Sequence, residues 1–121
     1  MSNYSPTVLL PGTGDIQHLA ERIHLANRDK GFWDKPRNFG EILMLVTTEL
    51  AEALEEQRAG HDVVWHREDG KPEGEAVEIA DAIIRLLDAW GGRYPDLSLT
   101  GVIEEKLAWN AARPYKHGKK F

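Results

Sequence analysis

Two stretches of this 121-residue chain, "ELAEALEEQ" at residues 49–57 and "EIADAII" at residues 78–84, set acids three residues apart inside runs of helical apolar spacing. Like charges three and four apart on one helix repel by about 0.2–0.5 kcal/mol, so the arrangement needs a reason. On a helical wheel, Leu43, Val46, Thr47, Leu50 and Leu54 form one face of the first run, with Glu49, Glu52 and Glu56 opposite, beside Leu45. In the second run Ile79, Ile83, Leu86, Leu87 and Trp90 make the main apolar stripe, and Glu78, Asp81, Arg85 and Asp88 lie away from it. Val77 and Ile84 border those acids on their far side. A single acidic face is most often a solvated one. A strip of acids hemmed by apolar residues on both edges asks instead to be buried, and buried carboxylates need cationic partners or a metal ion. Two helices with acids at i and i+3 can bring four carboxylates to one point. Ligation by oxygen alone suits a hard cation, magnesium or manganese.

The rest of the chain reads as four helices joined by short breaks, an all-α architecture. Residues 1–12 carry two prolines without periodicity and are expected to form a flexible arm, leaving 13–121 as one helical domain. The first helix is expected from Asp15, a good N-cap, to Lys30, stopped by Gly31, with Ile16, Leu19, Ile23 and Ala26 as its stripe. After the connector "GFWDKPRN", Asn38 should cap a second helix with Glu41 three residues on, ending near Arg58 and Gly60. "HDVVWHREDGKP" is a polar loop with a short extended piece at Val63–Trp65. The third helix is expected from Pro72, a residue suited to a first turn, to Gly91-Gly92. The fourth starts between Asp96 and Thr100 and ends at Arg113, because Pro114 cannot continue it. A basic tail, residues 114–121, closes the chain.

Composition removes several classes. No apolar run reaches the roughly 20 residues of a membrane span, and the first residues do not resemble a secretion signal. With no cysteine, disulfides and thiolate metal sites are excluded; this suits the cytoplasm, where the protein is expected. Net charge is −5, and acids crowd between Glu41 and Asp88, while no acid follows Glu105. That distribution argues against binding a nucleic-acid polymer, which calls for basic charge spread over a face. It fits a site that holds cations at one point and anions beside it. On the fourth helix Lys106, Asn110 and Arg113 stand at i, i+4 and i+7, a stripe able to hold phosphate oxygens.

Glu-x-x-Glu, a loop, Glu-x-x-Asp, then Lys-x3-Asn-x2-Arg resembles the MazG-like, all-α nucleoside triphosphate pyrophosphohydrolases, a superfamily related to dCTP pyrophosphatases and dimeric dUTPases. The similarity runs from "GFWDKPRN" through both acidic motifs to "KLAWNAARPYKHGKK". It implies a four-helix MazG-like bundle, completed by homo-oligomerisation, and Mg2+-dependent hydrolysis of a (deoxy)nucleoside triphosphate to the monophosphate and pyrophosphate. Carried over, the metal ligands are Glu49, Glu52, Glu78 and Asp81, with Glu49 or Glu52 as general base. Lys106, Asn110 and Arg113 match phosphate-contacting positions, joined by Tyr115 and Lys116. The base pocket falls on His24, Trp33 and Asn38, beside Phe32; His24, close to the apolar stripe of its helix, reads more as a structural histidine than as a base reader, and Trp33 reads equally as a plug over the bundle end or a subunit contact. Where many members have a further acid before the first ligand, this chain has Thr48, which leaves the number of ions open. Glu56 is an outer ligand or a solvated acid.

Two other readings stand beside this one. A helical protein that binds nucleotides without hydrolysing them, as a sensor or partner subunit, would need no complete acidic quartet. A di-iron bundle needs Glu-x-x-His on two helices, and Glu21–His24 supplies it on one. The apolar edges left at Val77, Ile84 and Leu45 point to a homodimer or homotetramer.

Overall fold

The computed structural model describes residues 15–120, so the arm expected over 1–12 lies outside the described residues. Four α-helices carry most of the described chain: α1 (Ile16–Asp29), α2 (Phe39–Ala59), α3 (Glu75–Arg93) and α4 (Leu99–Ala111). A two-stranded antiparallel ribbon, β1 (Trp65–His66) and β2 (Pro72–Glu73), joins α2 to α3, and a 3-10 turn covers Tyr115–Gly118. The chain divides into two compact units, one of Ala20–Pro95 and one joining the chain up to Leu19 with Asp96 onward.

In the Ala20–Pro95 unit the α2–α3 hairpin is the frame. Asn38 caps α2 by accepting a hydrogen bond from Glu41 N at 3.0 Å, as the Asn-x-x-Glu spacing predicts, and Gly60 closes the helix in the left-handed region. The helices meet through Ile42, Val46 and Glu49 on α2 and through Glu78, Ala82 and Leu87 on α3, all buried. Of the apolar stripes on these two helices, only Val46 and Leu87 are buried, whereas Leu50, Leu54 and Ile83 are 52%, 51% and 48% exposed. The reason is size: Ala82 and Ala89, both buried on α3, leave room for a close approach, so the hairpin closes on its acidic side.

Two helix boundaries of this unit also differ from expectation. Pro72 belongs to β2, opposite His66, and α3 begins only at Glu75. Gly74 has φ +119°, and a side chain there would collide with Val63 O; Val63 O also accepts from Ala76 N at 3.0 Å. A crossing of loop and helix start therefore fixes where α3 begins, overriding the usual preference for proline in a first turn. Extended pairing falls at Trp65–His66, overlapping the expected piece at its last residue. At the far end Gly91-Gly92 does not stop α3, which runs on to Arg93. These glycines permit contact. A Cβ on Gly91 would stand 2.6 Å from His24 Cβ, and one on Gly92 would overlap the Trp33 ring.

The other unit is held by the first turns of α1 and α4. Asp15 accepts from Gln17 N at 2.7 Å, and from the Thr100 hydroxyl at 2.7 Å; Gln17 Oε1 accepts from Leu99 N at 2.6 Å. The Thr100 hydrogen bond leads in holding the Asp15 carboxyl below its ordinary value. Ser98 caps α4 at Gly101 N. The helix ends at Ala111, so Arg113, expected as its last residue, lies beyond it. Gly92→Ala tests the close approach. Alanine gains up to about 1 kcal/mol in helix propensity, yet overpacking costs about 1–3 kcal/mol. Chemical denaturation is expected to show net destabilisation, with a smaller loss in a Gly92→Ala, Trp33→Ala double variant than the two losses summed.

Candidate metal centre

Because α2 and α3 close on their acidic sides, oxygens of Glu49, Glu52 and Glu78 come within 4.8 Å of one another. Glu49 and Glu78 are buried and Glu52 is exposed, giving the cluster one open side. Two unit charges about 4 Å apart repel by roughly 4 kcal/mol at an effective dielectric constant of 20. Three ionised carboxylates would therefore destabilise the hairpin unless charge is compensated. Part of the compensation is Arg85, whose Nε donates to Glu49 Oε1 at 2.8 Å. Burial pushes the Glu49 carboxyl up, but the hydrogen bond from Arg85, then the one shared with Glu78 and the Arg85 charge, with a smaller part from Glu52, outweigh it and hold the group below its ordinary value. Glu78 has no such cation. Burial first, then the carboxylates of Glu52, Glu49 and Asp81, push it up to about 7. Its Oε2 is fully buried without a hydrogen-bond partner.

A buried carboxylate oxygen with no donor, converging with two further carboxylates, fits a divalent cation: hard oxygen donors, excess negative charge and one accessible edge. Asp81, expected as the fourth ligand, is not part of this convergence. Its carboxyl is nevertheless raised, by burial and by the charge of Glu49, while Arg85 and Lys71 pull the other way. Thr48 turns its hydroxyl back to Leu45 O at 2.6 Å.

Glu56 is not a solvated acid. It accepts from Trp65 Nε1 at 2.8 Å and pairs with His61 Nδ1 at 3.1 Å, tying the loop to the end of α2. The Trp65 hydrogen bond, then His61, lower its carboxyl despite some burial. His24 and Trp33 converge on Asp88: His24 Nδ1 lies 2.8 Å and Trp33 Nε1 2.9 Å from its Oδ1, with Arg37 3.9 Å from Oδ2 and stacked on Trp33 at 4.9 Å. Asp88 is 5% exposed, a buried acid fully supplied with donors. Asn38, the third base-pocket candidate, spends its side-chain oxygen on capping α2. In the other unit, Lys106 lines a concavity of about 750 Å3 with Val102, Glu105, Ala108, Trp109 and Ala112. Asn110 and Arg113 are half-buried, and Tyr115 and Lys116 exposed.

Sequence reasoning assigned no role to Arg85 or Asp88. Arg85 was legible, since it follows Asp81 by four and Glu78 by seven and so shares their face. Asp88 lies on that face too, but its partners come from α1 and the connector, which no spacing reveals. Compared with known proteins, the chain matches no family model, no curated protein and no solved structure.

The raised carboxyls give the metal-free hairpin a pH dependence of definite sign. Glu78 titrates near 7 in the fold against 4.5 ordinarily, so the stability it contributes is complete below about 4.5 and lost as pH rises through about 7. Asp81 shifts in the same direction. With a chelator present, the thermal midpoint is expected to fall between about pH 5 and about pH 8, and Glu78→Gln to flatten that fall. A midpoint that climbs across this window would contradict the assignment.

Proposed function

We propose that this chain is a MazG-like pyrophosphohydrolase that converts a (deoxy)nucleoside triphosphate to its monophosphate and pyrophosphate with Mg2+, Mn2+ substituting. The observation that carries the reading is the convergence of Glu49, Glu52 and Glu78 around a buried carboxylate oxygen that has no donor. Both acidic pairs of the resemblance thus contribute to one centre from two helices. The ion would be held by these three residues, with Asp81 beside them. When bound, it neutralises phosphate charge and makes water a better nucleophile at neutral pH.

In the reaction, a water oxygen bonds to the α-phosphorus while the bond from that phosphorus to the α,β-bridging oxygen breaks, and pyrophosphate leaves. A carboxylate must take the water's proton. Glu52 suits this role best, being the exposed member of the cluster, whereas Glu49 is committed to Arg85 and Glu78 is buried. Phosphate contacts by Lys106, Asn110, Arg113, Tyr115 and Lys116, and base contacts by His24, Trp33 and Asn38, rest on the resemblance. The homodimer or homotetramer is supported by the apolar faces of α2 and α3 that the chain leaves exposed, with Met44 at 62%.

Pyrophosphate release from a panel of nucleoside and deoxynucleoside triphosphates, with and without Mg2+, tests the reading. Turnover is expected only with the metal, and Glu52→Gln should lower kcat by about 100-fold or more. Turnover that survives both Glu49→Gln and Asp81→Asn would refute the assignment. Light scattering should give twice or four times the chain mass.

A further inference from the structure

Among the ion pairs of the described residues, one joins a cation to the acidic cluster, that of Arg85 with Glu49. The contact is one-sided. Arg85 donates through Nε to Glu49 Oε1 at 2.8 Å, and its side chain is 38% exposed where that of Glu49 is 10%. A guanidinium carries five N–H donors in one plane, and Nε supplies a single one. The other four sit on the two Nη atoms.

The helices fix where this fork stands. Arg85 follows Asp81 by four residues and Glu78 by seven, so it shares their face of α3. Glu49 reaches it from α2, and an oxygen of Glu49 lies within 4.8 Å of oxygens of Glu52 and Glu78. Arg85 nevertheless leaves Glu78 unserved, for the buried Glu78 Oε2 has no hydrogen-bond partner. An ion taken by these three acids would therefore share the Glu49 carboxylate with Arg85. Phosphate oxygens bound to that ion would meet the guanidinium beside it.

We propose that Arg85 is a phosphate-binding fork: with Nε kept on Glu49, its Nη groups take oxygens of the pyrophosphate moiety of a ligand held by the ion at the Glu49–Glu52–Glu78 centre. The assignment deepens the reading given above and rests on it for the site, but not for turnover. A planar pair of N–H donors matches the spacing of phosphate oxygens, which an ammonium does not. Because Glu49 already orients the guanidinium, little freedom is lost when the ligand arrives. The fork's charge also offsets repulsion between the phosphate and the acids around it.

The test is calorimetric titration of Mn2+ alone into the full chain, and then of inorganic pyrophosphate at saturating Mn2+. Arg85→Met is expected to weaken pyrophosphate binding about tenfold or more, the loss of charge-assisted hydrogen bonds. Its Mn2+ affinity should equal or exceed that of the wild type, since a cation competing for Glu49 is gone. Arg85→Lys can still pair with Glu49 but lacks the fork, so it should recover only a small part of the pyrophosphate affinity. Arg58→Met, the same change of charge at an exposed pair with Glu55 on α2, should have little effect. Unchanged pyrophosphate affinity in Arg85→Met, full affinity in Arg85→Lys, or an equal loss in Arg58→Met overturns the proposal. So does an equal loss of Mn2+ affinity in Arg85→Met, which would make Arg85 a mere support of Glu49. A wild-type protein that binds pyrophosphate but hydrolyses no nucleotide defeats the catalytic reading alone, and the variants still decide Arg85. No pyrophosphate binding at all defeats both.

Discussion

The close approach of α2 and α3 through small residues puts carboxylates where a hairpin would normally put leucines, and the other features of the Ala20–Pro95 unit follow from that exchange. Ala82 and Ala89 are buried and short, so the helices can settle on the side that carries Glu49 and Glu78. Once those acids are inside, charge must be compensated within a few ångströms, because repulsion between carboxylates grows as water is excluded. Arg85 answers for Glu49, and a proton answers for Glu78. The apolar side chains displaced by this choice, among them Leu50, Leu54, Ile79 and Ile83, are turned outward.

The acids of this unit fall into two kinds when judged by their partners. Asp88 and Glu56 are structural anchors. Asp88 gathers His24, Trp33 and Arg37, and Glu56 gathers Trp65 and His61, so each ties a connecting segment to a helix with directional hydrogen bonds. Glu78 is the exception, with a buried oxygen that no side chain serves. An acid left with an unserved oxygen while its neighbours are supplied with donors is the observation on which the proposed cation site rests. Counting acids would not single it out, since Asp88 and Glu56 carry the same carboxyl group.

Much of the local structure was legible. Asn38 before Glu41, Pro114 after the last helix and glycines at 31 and 60 act through short-range sterics and hydrogen bonds, which depend on residues a few positions apart. The acidic pairs were legible for the same reason, since spacing along one helix fixes which side chains share a face. What the wheel did not show is that the leucine- and isoleucine-rich stripes would stay largely uncovered beside the acids. Gly91-Gly92 misled, because a glycine pair reads as a stop until the partners that press on it, His24 and Trp33, are known.

What the sequence settled alone is therefore one-dimensional: helical segments, their caps, and acids in register three apart on two of them. That Arg85 would reach Glu49, that Asp88 would be shared by α1 and the connector, and that Glu49, Glu52 and Glu78 would converge without Asp81 were decided by tertiary structure. The physical reason is range. Caps and helical faces are set by contacts within one or two turns, whereas the side on which two helices meet depends on volumes contributed by both, and the charge state of an acid depends on what that meeting leaves around it.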